Sequence, residues 1–454
     1  MSSTLFDSPY YRDQFSTAVM RNLFTDEARF ASWLEFEAAL ARAEAKTGVI
    51  PEAAARGIAA AAKVENLDPV AMQQHFEKCG FAIQPLVKAL GKACDAEAAR
   101  YVHWGATTQD ILDTGLVLQM RDALVLIEDE LDRTIVALMR LARDHRDTPM
   151  AGRTFQQQAA PITFGWKAAV WLDEFLRHRA RLPDIRARLL QVQFGGAVGV
   201  LAPLGDKGLE VRAALAAELD LKEPDITWHT ARDNWAELVF WLAMLGGALG
   251  RVATEIATLM RSEVDEVREP YVPGRGTSSA MPQKRNPIAC PQIIAIAVRL
   301  RSLVGQEMTA SIQEHERGIA AMPVEWMVIP EAFLLASGLF LHARPMLEGL
   351  DVDVARMRVN LEGGGGLIMS ESVMSGLARI IGRPAAHSAV TAAAARAIDG
   401  GTDLRSELEA DPEVSAQLDP AALDALLEPG NYTGTAAAMV DKVLARATAE
   451  GVLS

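Results

Sequence analysis

Hydrophobic side chains recur at helical spacing through most of the chain, and the clearest stripe follows residue 110. Between residues 110 and 147 there is no proline, and an apolar residue returns at every third or fourth position. The stripe consists of Leu112, Leu116, Met120, Leu124, Ile127, Leu131, Ile135, Leu138 and Leu141. A helix of about 38 residues would be ~57 Å long, which indicates a helical bundle.

The same spacing predicts further helices on both sides of this stripe. Shorter ones cover residues 27–48 and 51–63. Longer ones cover residues 161–192, with a kink at Pro183, and residues 231–266, 287–314 and 323–349. The glycine-rich stretch 362–366 is typical of a hinge.

These changes of pattern predict an all-α fold with three domains. The N-terminal helical domain covers residues 1–108, the central long-helix bundle 109–360, and the small C-terminal helical domain 361–454. The central helices are apolar on more than one face, as the run from Trp235 to Leu242 illustrates. A single chain cannot cover so many apolar faces, so we expect the bundles to pack against one another in a symmetric oligomer.

Composition narrows the class of function. Half of the 454 residues are hydrophobic, and the formal charge of −14 makes general binding to nucleic acid or to an anionic membrane unfavourable. An anionic substrate is still possible, because a few arginine and lysine side chains can dominate one cleft. The sequence contains no uncharged apolar stretch of about 18 residues, so we expect no membrane span.

Cysteines, the N-terminal segment and the spacing of possible ligands narrow the cellular location and the cofactors that we expect. Cys79, Cys94 and Cys290 are too few and too scattered for a disulfide framework, and the N-terminus lacks the pattern of a secretory signal. These features predict a cytoplasmic protein. We find no spacing of metal ligands and no phosphate-binding or dinucleotide-binding glycine pattern, so we expect neither a metal nor a cofactor.

Polar residues are concentrated at the ends of the long helices. The clusters are residues 103–110, 152–158, 228–233, 272–287 and 315–317. Each has a structural explanation as a helix cap, a buried hydrogen-bond network or an ion pair. Together they have one functional explanation, a single site for a polyanionic small molecule, because helix N-termini attract anions. Its candidate cations are Arg232, Lys284 and Arg317.

The stretch GTSSAMPQKRNP, residues 276–287, resembles the signature loop of the fumarase/aspartase superfamily, which includes the adenylosuccinate and argininosuccinate lyases. The residues that fit its pattern are Ser278, Ser279, Met281, Pro282, Lys284 and Asn286. Thr277 replaces a glycine. The stretches GATTQD, GRT and QEHERG follow in family order, so the resemblance covers nearly the whole chain.

The resemblance implies a three-domain, mostly helical subunit. Five long helices from each subunit would form the twenty-helix core of a homotetramer, and each active site would be assembled from three subunits. It also implies catalytic roles for Ser278, Lys284 and Asn286, with Ser278 as the acid–base residue. The implied substrate-binding residues are His103, Thr107, Thr108, Gln109, Arg153, Thr154, Phe155, Gln157, His229, Arg232, Ser279, Met281 and Arg317.

Within the superfamily, the chain is most similar to the bacterial 3-carboxy-cis,cis-muconate cycloisomerases. Phe155 stands where the lyases commonly have a histidine, and Pro291 stands where they have a glutamate; the cycloisomerases share both features. Thr277 and Gln158 differ from the cycloisomerase pattern. The expected function is therefore lactone formation in aromatic degradation. The alternative is a C–N lyase that eliminates an amine or nitrite from a substituted aspartate or succinate to give fumarate. A non-enzymatic relative is a third possibility.

Overall fold

The structure is a computed structural model that describes residues 4–274, 276, 280–281 and 283–451. Helices α1 to α19 are, in chain order, Arg12–Phe15, Ala18–Leu23, Asp26–Lys46, Glu52–Ala61, Pro69–Cys79, Ile83–Ala93, Thr108–Asp144, Phe164–Leu189, Gly208–Glu218, Asp233–Leu259, Ala289–Ala310, Ala321–Glu348, Val354–Glu362, Ser370–Ile381, Arg383–Gly400, Leu404–Glu409, Pro412–Ser415, Pro420–Leu427 and Ala436–Ala449. Strands β1 to β4 are Pro149–Thr154, Gln157–Thr163, Val267–Arg268 and Asp351–Val352. The predicted all-α class is confirmed.

The long helices predicted from hydrophobic spacing are confirmed as α7, α8, α10, α11 and α12, with ends that shift by a few residues. Helix α8 continues through Pro183 to Leu189, so this proline does not end it. Helix α10 stops at Leu259, earlier than predicted. The chain turns at Asp265, which has a φ of +52°, and then forms the short strand β3.

The segment before α8 is a β-hairpin. The prediction that the helix begins at Pro161 is therefore wrong, because Pro161 lies in strand β2 and the helix begins at Phe164. Strands β1 and β2 pair antiparallel from Pro149 opposite Thr163 to Thr154 opposite Gln157. Phe155 and Gln156 form the two-residue turn with φ values of +49° and +64°. Such a turn usually contains Asn-Gly, so this sequence lacks the ordinary signal of a hairpin.

The described chain divides into two compact units. Unit 1 comprises residues 1–130, 178–247 and 295–341, and in it α3 packs against α4 and α9. Unit 2 comprises residues 131–177, 248–294 and 342–454, and its small helices α14, α15, α16 and α18 enclose an apolar core. These units combine distant parts of the sequence, and the three-domain division remains a prediction.

Helices α10 and α12 are long and apolar enough to cross a membrane by length and composition alone. In both, 61% of the most apolar window is buried inside the protein, which is the behaviour of core helices in a bundle. Apolar side chains remain exposed along the long helices. They include Val125, Val136, Val170, Phe240, Val298, Met308, Trp326, Met327 and Leu341.

Candidate functional site

In unit 1, Asp110 connects the N-terminus of α7 to two other segments. Its carboxylate is fully buried and accepts hydrogen bonds from the backbone N–H groups of Thr107, Gly195 and Gly196 at 3.0, 3.0 and 2.9 Å. Its Oδ1 atom also lies 2.7 Å from Nε2 of His229. Because every one of these partners belongs to the protein, Asp110 fixes the shape of the helix end and is not available to a ligand.

Two residues predicted to bind substrate lie in the core beside Asp110. His229 is 3% exposed, and its Nδ1 atom has no hydrogen-bond partner in the described parts of the chain. Gln109 is fully buried, and its amide donates to the His229 carbonyl at 2.8 Å and to Asp113 at 3.1 Å. These contacts give both side chains a structural role in this subunit.

Arg232 was expected to bind a substrate carboxylate, and the structure does not support that role. Its side chain is completely buried, and its guanidinium donates to Asp113 at 2.7 and 3.1 Å and to Glu325 at 2.6 and 2.9 Å. It also lies over the rings of Trp228 and Trp235, with centroid distances of 5.1 and 3.9 Å. Arg232 is therefore the centre of a buried ion-pair cluster.

The N-terminus of α7 keeps groups that can bind an anion. Thr107 and Thr108 are half-buried there. Arg317 donates from Nη2 to the Thr107 hydroxyl at 3.2 Å and to the Ala197 carbonyl at 3.1 Å. The Arg317 Nε atom is buried and has no partner among the described residues. A cation, two hydroxyls and the positive end of a long helix dipole thus lie together.

His103 lies four residues before Thr107 and is half-buried. Its Nδ1 atom is 2.7 Å from Oε1 of Glu37 on α3. Burial lowers the pKa of His103, but the hydrogen bond and negative charge of Glu37, together with the charge of Asp110, outweigh it and raise the pKa. The imidazolium form is therefore favoured close to the anion-binding end of α7.

In unit 2, the predicted residues of the hairpin divide into one that is fixed by an ion pair and three that are exposed at the tip. Arg153, which pairs with Gln158 one step before the tip, is held by Glu266, a fully buried carboxylate, with N–O distances of 2.9 and 2.6 Å. This pairing makes Arg153 part of the hairpin's support. Thr154, Phe155 and Gln157 are exposed at the tip, where the Phe155 side chain is 100% exposed.

The signature loop also belongs to unit 2. The predicted residues Ser278 and Ser279 lie outside the described residues. Lys284 is exposed, and none of the described residues forms an ion pair with its side chain. Asn286 donates from its backbone and side-chain nitrogens to the Gly276 carbonyl at 3.3 and 3.2 Å, which joins the two ends of the loop. Met281 is 42% exposed.

One carboxylate that the sequence analysis missed supports this loop. Glu269 accepts hydrogen bonds from the backbone N–H groups of Ile288, Ala289 and Cys290 at 2.8, 3.0 and 2.9 Å. It therefore fills the anion-binding N-terminus of α11, directly after Asn286. A glutamate that lies about twenty residues before the helix it caps has no local sequence signal.

Comparison with known proteins places these features in one family. A family model described as "Lyase" matches residues 12–301, and one described as "Adenylosuccinate lyase C-terminus" matches residues 366–443. A 3-carboxy-cis,cis-muconate cycloisomerase of Pseudomonas aeruginosa is 46% identical over 453 residues, 99% of this chain and 98% of that protein. An N-acetyl-S-(2-succino)cysteine lyase of Dickeya dadantii is 35% identical over the full length of both chains.

A solved structure agrees with these sequence matches. The crystal structure of the 3-carboxy-cis,cis-muconate lactonizing enzyme from Pseudomonas putida superimposes with a TM-score of 0.93 at 43% identity. The match covers 97% of this chain and 99% of the other. The similarity thus extends over the whole fold and includes both sets of candidate residues.

Proposed function

The chain belongs to the fumarase/aspartase superfamily and is an enzyme of it, and we propose that it converts 3-carboxy-cis,cis-muconate to its carboxymuconolactone. The observation that carries this proposal is the 46% identity to a cycloisomerase over almost the entire length of both chains. The likeness extends through both units, so it includes the α7 N-terminus, the hairpin and the signature loop. Aromatic degradation is the metabolic context that this reaction implies.

The chemistry at the hairpin tip supports a cycloisomerase over a lyase. The lyases commonly carry a histidine at the position of Phe155, and a phenyl ring cannot transfer a proton. Lactone formation needs no such group, because the attacking nucleophile is a carboxylate of the substrate and is already ionised at neutral pH. Pro291, in place of the lyases' glutamate, agrees with this assignment.

In the proposed reaction, a carboxylate oxygen adds to a carbon of the conjugated diene and forms the ring C–O bond. The electron pair of that double bond moves toward the neighbouring carboxylate and gives an aci-carboxylate dianion. Ser278 donates a proton to the carbanion carbon, and solvent restores the proton on the serine. Lys284 and Asn286 stabilise the developing charge, since donors aimed at it lower the barrier.

The substrate's other carboxylates require cationic and hydroxyl partners. Arg317, Thr107 and Thr108 provide these at the N-terminus of α7. His103 adds a further positive group in the same segment. Thr154, Phe155 and Gln157 contribute from the hairpin tip of a neighbouring subunit in this proposal.

The proposed assembly is a homotetramer in which each active site contains residues of three subunits. Exposed apolar side chains on the long helices, such as Phe240 and Val298, support it, because packing against other copies would remove them from water. The fully exposed Phe155 supports it in the same way. We place the enzyme in the cytoplasm, without nucleic-acid or membrane partners, as its acidic charge and three free cysteines suggest.

An ultraviolet assay tests the function. Lactone formation removes a conjugated diene, so absorbance of 3-carboxy-cis,cis-muconate should fall when the enzyme is added without any cofactor. Ser278→Ala should abolish this change and leave the oligomeric state and the melting temperature unaltered. Ser311→Ala, which changes a half-buried serine directly after α11, is the matched control and should retain full activity. Absence of turnover in the wild type would reject the cycloisomerase.

The similarity to the succinocysteine lyase favours one second candidate. In that case Ser278 would remove a proton beside a carboxylate, and the electron pair would expel a thiol or amine to give fumarate. Fumarate release from S-substituted and N-substituted succinates, measured in the same preparation, would establish the lyase. The two activities are distinguishable because only the lyase produces fumarate.

A further inference from the structure

The backbone at His103 is in a conformation that costs energy for its residue type. Its φ is +61°, in the left-handed region, where a residue with a Cβ is disfavoured by roughly 1–2 kcal/mol. Strain of this kind persists only where surrounding contacts impose it, and it often coincides with a functional site. Two hydrogen bonds to one side chain hold this residue.

That side chain is Glu37, which lies in the middle of α3 and is 1% exposed. One carboxylate oxygen is 2.7 Å from Nδ1 of His103, and the other accepts the His103 backbone N–H at 3.1 Å. The same carboxylate therefore fixes both the backbone and the ring. Because Nδ1 must carry a proton to donate to Glu37, Nε2 carries a proton as well only in the imidazolium form, which the charge of Glu37 favours.

The opposite nitrogen of the ring is left for another partner. Nε2 of His103 makes no hydrogen bond to any residue in the described part of the chain, and the side chain is 20% exposed. The ring belongs to the segment that leads directly to Thr107, where Arg317 donates its hydrogen bond. His103 thus belongs to the same segment as the groups at the α7 N-terminus that can bind a carboxylate, and its imidazolium form is attractive to such a ligand.

A second buried carboxyl group lies behind Glu37. Glu44 is 1% exposed, sits two turns further along the same helix, and has no hydrogen-bond partner for either oxygen among the described residues. Burial, with the charge of Glu37, raises the pKa of Glu44 to about 9, so it is neutral at physiological pH. Glu37 is then the charged partner that His103 faces from α3, and Asp110 faces it from α7.

We propose that Glu37 is a positioning residue that holds His103 with its Nε2–H free to donate a hydrogen bond to a carboxylate of the substrate. The inference rests on the proposed function only in requiring a polycarboxylate ligand. It adds the residue that orients His103 and the atom of His103 that contacts the ligand. It also assigns the strained backbone at residue 103 to ligand recognition.

Calorimetric binding of propane-1,2,3-tricarboxylate between pH 5.5 and 8.5 tests this arrangement without requiring turnover. In the wild type, affinity should fall about tenfold as the pH rises through the pKa of His103, because the imidazolium is lost. Glu37→Gln should move that fall to lower pH by about one unit or more, since it removes the opposite charge. In the lactonisation assay, Glu37→Gln should raise KM more than it lowers kcat.

His103→Asn isolates the role of Nε2. Asparagine tolerates a positive φ better than most residues, and its amide can still donate to Glu37, so only the outer nitrogen and the charge are lost. This variant should bind weakly at every pH and show no fall of affinity between pH 5.5 and 8.5. It also carries the test if Glu37→Gln melts before binding can be measured.

Glu35→Gln, an exposed change on the same helix, is the matched control and should behave like the wild type. A wild-type pH profile in a folded Glu37→Gln variant, or in His103→Asn, would overturn the proposal, as would failure of the wild type to bind the tricarboxylate. An enzyme that binds the tricarboxylate in the predicted pH-dependent way but does not form the lactone would reject the proposed function and leave this inference standing.

Discussion

The polar residues of unit 1 and those of unit 2 look alike in the sequence and differ in the structure. In unit 1, the most polar cluster is closed: Arg232 shares its donors between Asp113 and Glu325 and is completely buried. In unit 2, Lys284 is exposed in the signature loop and Phe155 is fully exposed at the hairpin tip. The Arg232 cluster has all its partners within the chain, whereas the signature loop and the hairpin tip have exposed side chains.

The comparison shows how to separate structural from functional cations. Arg153 and Arg232 are both held by carboxylates that are at most 2% exposed, and these carboxylates neutralise the charge that would attract an anionic ligand. Arg317 contacts only a hydroxyl and a carbonyl oxygen, which leaves its charge without an anionic partner among the described residues. The cations without a buried counter-ion are therefore the ones that can bind a polycarboxylate.

The largest effect is expected from breaking the closed cluster. Arg232→Met leaves Asp113 and Glu325 buried without their counter-ion, which should destabilise the protein by roughly 3–5 kcal/mol. Urea unfolding at a fixed protein concentration measures this, because the stability of an oligomer depends on concentration. Arg317→Met is the contrasting variant and should change stability by about 1 kcal/mol or less. Comparable losses of stability in the two variants would invalidate the distinction drawn between these arginines.

The next largest effect is a loss of activity in the signature loop of unit 2. Lys284→Met should lower kcat by about 10²–10³-fold, the usual cost of removing one group that stabilises developing charge, and should not change the unfolding curve. Arg285→Met is the neighbouring control, because Arg285 lies over the Tyr271 ring at 5.1 Å, and its loss should lower kcat less than tenfold. Equal losses of activity would show that the loop acts through its overall charge.

Sequence periodicity predicted the long helices well, because each one buries a continuous apolar stripe. It missed the hairpin at Phe155, because that turn uses two residues with positive φ and no glycine. For the candidate site, the sequence showed where polar clusters and cations lie along the chain. It could not show that Arg232 is neutralised by Glu325, 93 positions away, because only the fold brings these side chains together.

A smaller effect is expected from the carboxyl group beside the closed cluster. Glu307 is fully buried without a hydrogen-bond partner in the described chain, and burial, with the charge of Glu325, raises its pKa from 4.5 to about 7 against the opposing effect of Arg232. The folded state therefore holds this proton more tightly than the unfolded state. Stability should fall as the pH rises from about 4.5 to 7, by roughly 3 kcal/mol at most.

Glu307→Gln should remove that fall, so the variant should be more stable than the wild type above pH 7 and similar to it near pH 4.5. Urea unfolding across this pH range measures the difference. Glu314→Gln, which removes an exposed carboxyl group after α11, should keep the wild-type pH dependence. If Glu307→Gln followed the wild-type curve, the carboxyl group would have to be ionised and solvated in the folded protein.

The smallest effect is expected at the hairpin tip. Gln156 has a φ of +64°, so Gln156→Gly should relieve backbone strain and stabilise unit 2, by about 0.5–1 kcal/mol after the larger unfolded-state entropy of glycine is deducted. Gln157→Gly, in strand β2, should be destabilising by a similar amount. If Gln156→Gly gains stability and loses activity, the strained turn serves to position Phe155 for catalysis. If activity is unchanged, the strain has no catalytic role, and only the side chains at the tip contribute to activity.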